Sequence, residues 1–371
     1  MRLNRLLRRL LRLEARAEAH SPEPKRRGRV DHVIVLDGTM SSLDRGNETN
    51  AGITYRLLEE RGRIAGMSLY YEAGIQWEDW RRAPDVILGR GINRQIRRAY
   101  GFLASRYREG DRIFLFGFSR GAYAARSLAG MIDRIGLLRT EYATHRAVRE
   151  VYRHYETDHS SQAARDFASL YCHADVHIEM VGVWDTVKAL GFRLPLLWRL
   201  TEKSHSYHSH HLGRSIRNGF HALALDETRD IFAPVLWEDG HRQEGQRVEQ
   251  VWFRGAHGDI GGQLGGFEAA RPLANIPLVW MLERAETCGL VLPPGWRARF
   301  PRNPDAPSVG TWMGWGKSFL FRRRRRVGAD PSEMIHPTAV ASHPWLARVE
   351  KAPDPPPSEA RGLGDAEGAG L

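Results

Sequence analysis

Residues 112 to 132 read RIFLFGFSRGAYAARSLAGMI, and this stretch decides the fold. Arg112 to Phe116 is a short, bulky apolar run of the kind that forms a buried strand, and Ala122 to Ile132 is an alanine-rich helical pattern. Between them stands Gly117-Phe118-Ser119-Arg120-Gly121. Glycines two residues to either side of the serine let a strand and a helix approach closely. The turn between them strains the serine backbone and lifts its hydroxyl clear of the sheet. The bland alternative is a glycine-rich turn carrying an incidental serine, and the strand before it and helix after it argue for a nucleophile.

Further strands are predicted at the apolar runs Val33 to Leu36, Met67 to Tyr71, Ile178 to Trp184 and Val248 to Phe253. Helical patterns alternate with them at about 50 to 60, 91 to 107, 121 to 134 and 141 to 170, with a last one at Ile276 to Cys288. This alternation predicts an α/β fold of the α/β-hydrolase type, a mostly parallel sheet with helices on both faces. In such sheets sites form beyond the carboxyl ends of the strands. Four of the five apolar runs end in reactive groups: Asp37-Gly38-Thr39, the serine turn, Trp184-Asp185-Thr186 and Gly255-Ala256-His257-Gly258-Asp259. The catalytic unit is expected over 30–350, preceded by a basic amphipathic helix at 1–20 and a linker at 21–29. A disordered tail is expected at 351–371, where Pro, Gly, Ala and Glu recur without periodicity.

A serine hydroxyl is a poor nucleophile at neutral pH. It needs an imidazole to take its proton and a carboxylate to orient that imidazole. In sheets of this type the chain order is serine, acid, histidine. Asp185 and His257 follow Ser119 in that order, each after a strand-like run. The competing readings are a turn cap for Asp185 and a satisfied loop histidine for His257. Asp259 rivals Asp185 as the acid, but on the same loop as His257 it suits a backbone or ion partner better. An oxyanion needs donors, and the candidates are the backbone N–H of Arg120 and those of Gly38 and Thr39, with Asp37 holding their loop by hydrogen bonds.

No cofactor or metal is called for. Val35 stands where haloacid-dehalogenase phosphatases place a nucleophilic aspartate, which excludes that chemistry. His205, His208, His210 and His211 form a metal-capable stretch, yet no carboxylate or cysteine lies at ligand spacing, so a solvated loop is expected. Arg322 to Arg326 suits lipid head groups or nucleic acid, but lacking interleaved aromatics it is expected to be a solvated basic loop, with no specific nucleic-acid partner.

With 371 residues, 42% of them hydrophobic and 27% charged, the chain has ample material for a core, which excludes wholesale disorder. The formal charge of +11 draws it to anionic surfaces, but only five of the 55 basic residues are lysines. An arginine bias this strong reflects codon composition as much as phosphate chemistry. Two cysteines, Cys172 and Cys288, exclude a disulfide framework and a thiolate zinc site, and a reducing compartment, the cytoplasm, fits best. No run of about 18 apolar residues is present to span a bilayer. At the start, Leu3, Leu6, Leu7, Leu10 and Leu11 share one helical face, with Arg5, Arg8, Arg9, Arg12 and Arg16 opposite. That pattern suits peripheral contact with an anionic membrane, or docking on the protein's own core. Tyr70, Tyr71, Trp77 and Trp80 would add exposed aromatics to such contact, the tyrosines being equally suited to the core.

The stretch Gly91 to Leu138, together with Asp37-Gly38-Thr39, Val183-Trp184-Asp185-Thr186-Val187, and Trp252-Phe253 followed by Gly255, His257, Asp259, Ile260, Gly261 and Gly262, resembles the catalytic domain of type VI secretion phospholipase effectors. The resemblance covers roughly residues 30 to 290. It implies Ser119 as nucleophile, Asp185 as acid, His257 as base, and hydrolysis of phospholipid esters. Met40-Ser41 departs from the family's Trp-Asn pair and Gln263 from a third glycine; both bear on the oxyanion or lid region. Secretion by a type VI system does not follow from the domain. The expected activity is that of a serine esterase acting through an acyl-enzyme. The alternative is a non-catalytic membrane- or nucleic-acid-binding protein on a hydrolase fold.

Overall fold

The computed structural model describes residues 28–61, 66–74, 90–187, 211–238, 240, 243–312 and 321–343. Within them lie seven strands: β1 (Asp31–Leu36), β2 (Met67–Glu72), β3 (Arg112–Phe118), β4 (Ile178–Trp184), β5 (Ile216–Ala224), β6 (Arg247–Phe253) and β7 (Glu333–Ile335). All pair in parallel in one sheet of order β2-β1-β3-β4-β5-β6-β7. The helices are α1 (Asn50–Glu60), α2 (Arg90–Ala104), α3 (Arg120–Ile135), α4 (His145–Thr157), α5 (Gln162–Tyr171), α6 (His257–Gly261), α7 (Arg271–Thr287) and α8 (Pro337–Ser342).

Strand residues alternate between two cores, as the period of two requires. Ile34, Leu36, Ile113 and Leu115 pack with α2, α3 and α4 on one face. Val33, Val35, Phe114 and Phe116 pack with α1 and α7 on the other. The α/β fold with helices on both faces is therefore as expected. From β1 the chain steps outward to β2, returns to place β3 on the other side of β1, and then walks to the far edge. The loops after β1 and β3 diverge there, which makes this the switch point where open sheets build sites.

Three differences from the sequence reading have local causes. The predicted helix at 141–170 is two helices: Asp158 is extended at φ −150°, and the Ser161 side chain caps α5 by accepting from the Ala164 N–H at 3.2 Å. Strand β5 went unread because Arg217, Asn218, Gly219 and His221 interrupt its apolar pattern, and β7 is only three residues long. Helix α7 starts at Arg271, not Ile276, because Pro272 lies in its first turn, where a missing N–H costs nothing.

Tyr70 and Tyr71 are half-buried: Tyr70 packs on Phe102 at 4.7 Å, and the Tyr71 hydroxyl donates to Asp37 at 2.8 Å. Their core reading is the right one. The expected helix at 1–20, the tail at 351–371, Trp77, Trp80, His205, His208 and His210 lie outside the described residues. Among the described residues no helix is long and apolar enough to cross a membrane, and no cluster of three His, Cys, Asp or Glu side chains is arranged to hold a metal ion.

Candidate active site

Ser119 sits between β3 and α3 with φ 57° and ψ −120°, a conformation that L-residues rarely adopt. The two flanking glycines make that turn possible. A Cβ on Gly117 would lie 2.6 Å from the Gly121 carbonyl oxygen, and one on Gly121 would lie 2.2 Å from that of Leu36. Strand β1 thus runs directly under the elbow, so its next residues, Asp37 to Thr39, emerge beside the serine.

The structure brings together the three side chains that chain order singles out. His257 Nε2 lies 2.8 Å from Ser119 Oγ, and His257 Nδ1 lies 2.6 Å from Asp185 Oδ2. Asp185 follows β4 at φ 40° and is fully buried; His257 opens α6 after β6. An ionised Asp185 accepts only, so the proton of the imidazole sits on Nδ1 and the Nε2 lone pair faces the serine hydroxyl. The imidazole is held flat between two rings, Phe232 stacked at 4.7 Å and 9°, and Phe118 at 4.9 Å. Its backbone N–H donates to Glu227 at 3.1 Å.

Arg325 is the residue that the sequence reading missed. It lies in the run expected to be solvated, yet its side chain is buried and both terminal nitrogens fork onto Asp185, one of them 2.9 Å from Oδ2. The same guanidinium donates to the carbonyls of Ala224 at 2.8 Å and Phe232 at 2.6 Å. Asp185 Oδ1 also accepts from the Ala224 N–H at 3.0 Å. Burial alone would push the Asp185 pKa up, but the charge of Arg325 and the hydrogen bonds from His257 and Arg325 outweigh it and hold the acid well below the usual carboxylate range. Arg322 is half-buried against Thr228 and Thr311. Only Arg323, Arg324 and Arg326 of the run are exposed.

Asp37 does hold its loop. It accepts from the Gly38 N–H at 2.6 Å, the Thr49 hydroxyl at 2.7 Å and the Tyr71 hydroxyl at 2.8 Å, and burial pushes its pKa up to about 6. One expectation is corrected here: the Gly38 N–H is engaged by Asp37, which leaves those of Thr39 and Arg120 as oxyanion candidates. Gln263, at the departure from the family pattern, donates to the Thr39 carbonyl at 2.9 Å and so ties the histidine loop to the loop that follows β1. Asp259 binds Ser308 and the N–H groups of Ala256 and Val309, which fixes α6 and removes it as a rival acid. His221 stays neutral: burial lowers its pKa to about 3, and its Nε2 accepts from the Thr186 N–H at 3.1 Å.

A family model described as T6SS, phospholipase effector Tle1-like, catalytic domain matches residues 31–284. An uncharacterized protein of Saccharomyces cerevisiae is 29% identical over 229 residues, which are 55% of this chain and 32% of the yeast protein. The chain thus spans about a third of that relative's length. Among solved structures, an uncharacterized protein from Pseudomonas aeruginosa aligns at 17% identity with a TM-score of 0.42, over 79% of this chain and 50% of the other. The Tle1 effector bound to the VgrG spike of the type 6 secretion system aligns at 18% identity with a TM-score of 0.29, over 64% of this chain and 51% of the other. Because the family model covers more than half of its residues, this chain belongs to the Tle1-like phospholipase effector catalytic domains of the type VI secretion system.

Proposed function

We propose that the chain is a serine hydrolase that cleaves a carboxylic ester of a phospholipid or lysophospholipid through an acyl-enzyme. The supporting observation is the unbroken run of short contacts from Ser119 Oγ through the His257 ring to Asp185. Ser119 attacks the ester carbonyl while Nε2 takes the hydroxyl proton, and Asp185 steadies the imidazolium so formed. The negative charge on the carbonyl oxygen would be met by the N–H groups of Arg120 and Thr39. Collapse of this intermediate breaks the ester C–O bond, and the imidazolium gives its proton to the departing alcohol oxygen. Water, activated by the same imidazole, then attacks the acyl-serine and releases the fatty acid.

The ester as substrate is supported by the family's description as phospholipase effectors. That description also names type VI secretion, and the chemistry proposed is the same whether the enzyme acts in its producer or in a recipient cell. Mass spectrometry of a total phospholipid extract tests the proposal. Wild type should release free fatty acids and lysophospholipids, and Ser119→Ala should release neither. Products cut at a phosphate ester, phosphatidic acid or free head group, would contradict a carboxylic-ester hydrolase.

A further inference from the structure

The segment Phe321 to Arg326 crosses the carboxyl edge of the sheet beside the loop that follows β5. Arg322 bridges Arg229, the Arg323 N–H donates to the Thr228 carbonyl at 2.7 Å, and the Asp230 N–H donates to that of Phe321 at 3.0 Å. Arg322 and Arg325 turn inward, the latter onto Asp185. The outward residues are a different set: Phe321 is 80% exposed, and Arg323, Arg324 and Arg326 are exposed. Trp312, 60% exposed, lies alongside, its ring centroid 3.4 Å from the Arg322 guanidinium carbon. Among the described residues none of the three exposed arginines pairs with a carboxylate.

Single exposed apolar side chains need no explanation on a protein surface. Here two large aromatics and three exposed arginines are contiguous, four of the five on the strap that holds the candidate triad's acid and Trp312 beside it. Met40, 45% exposed, projects one residue past Thr39 at the same edge of the sheet. Aromatic rings favour the boundary between head groups and acyl chains, and arginines favour the phosphates above it. We propose that Trp312, Phe321, Arg323, Arg324 and Arg326 form a docking face for an anionic lipid bilayer, which sets the mouth of the site on the surface that carries its ester. The face deepens the reading above by naming how the substrate is met, and it depends on that reading only for what the docked enzyme then does.

The test uses the full chain carrying Ser119→Ala, so that vesicles are not consumed, and sedimentation with vesicles of phosphatidylglycerol and phosphatidylcholine. Binding should require phosphatidylglycerol and weaken with salt. Adding Arg323→Gln, Arg324→Gln and Arg326→Gln should weaken it on the order of a hundredfold, about fivefold for each charge removed near an anionic surface. Trp312→Ala with Phe321→Ala should weaken it about tenfold or more. In the Ser119 background both sets should hydrolyse a monomeric short-chain ester at the wild-type rate, which shows that they fold. Vesicle binding unchanged by both sets, or equal on pure phosphatidylcholine, would overturn the docking face, as would retention of nucleic acid in place of vesicles. If vesicle binding follows the expected pattern while no form turns over the monomeric ester, the docking face stands and the hydrolase reading fails.

Discussion

At the scale of single residues the site rests on two buried carboxyls with opposite pH behaviour. Asp185 is held ionised by Arg325, so it adds stability that is complete above its unfolded pKa of 3.8 and is lost as pH falls toward its lower folded value. Arg325→Gln leaves that carboxylate buried without its cation, at an expected cost of about 3 kcal/mol near neutral pH. The folded pKa then rises, so the gap between variant and wild type should narrow between pH 7 and pH 3. Urea midpoints at the two pH values check this, and an equal gap at both would contradict it. Asp37 runs the other way. Its folded pKa of about 6 means a contribution that is complete below 3.8 and lost as pH rises through about 6. Two units correspond to about 3 kcal/mol, and Asp37→Asn should flatten the melting temperature across that window. Ser119, Asp185 and His257 were legible because each ends a strand-like run. Arg325 was not, since inward positions three apart carry no signal in a run of five identical residues.

Among the elements, the strand-to-helix elbow is set by contact distances that a glycine count alone does not reveal. Gly101 in α2 and Gly121 in α3 both sit in helices, and on propensity alone alanine favours either helix by about 1 kcal/mol. A Cβ on Gly101 would meet Val148 at an ordinary 3.7 Å, whereas one on Gly121 would lie 2.2 Å from the Leu36 carbonyl oxygen. Gly101→Ala should therefore stabilise by about 0.5–1 kcal/mol. Gly121→Ala should destabilise by several times that amount and part the serine from the β1 loop. Denaturant midpoints decide it, and a like sign for both would show that the elbow is not close-packed. The other elements were legible in proportion to their apolar continuity. Strands β1, β3, β4 and β6 bury nearly every residue and read clearly. Strand β5 carries the fully buried His221 and a glycine that faces Trp237, so its burial shows only once its neighbours are in place.

Across the whole molecule, the parallel order puts the ends of β1, β3, β4 and β6 along one edge, and the site is the part of the chain that meets there. The family match ends at residue 284, yet Ser308, Val309 and Arg325, beyond it, complete the hydrogen bonds of α6 and Asp185. A motif reading confined to the matched part supplies the three candidate triad residues, Ser119, His257 and Asp185, but not Arg325, which clamps Asp185. The central claim is that this assembly activates the Ser119 hydroxyl, and a fluorophosphonate probe asks that question directly. Incubation of wild type followed by peptide mass spectrometry should place one covalent adduct on the peptide containing Ser119. Ser119→Ala should carry none, and His257→Ala should label at least a hundredfold more slowly, the order of a lost general base. Absence of labelling in folded wild type, or an adduct on another residue that survives Ser119→Ala, would contradict the account.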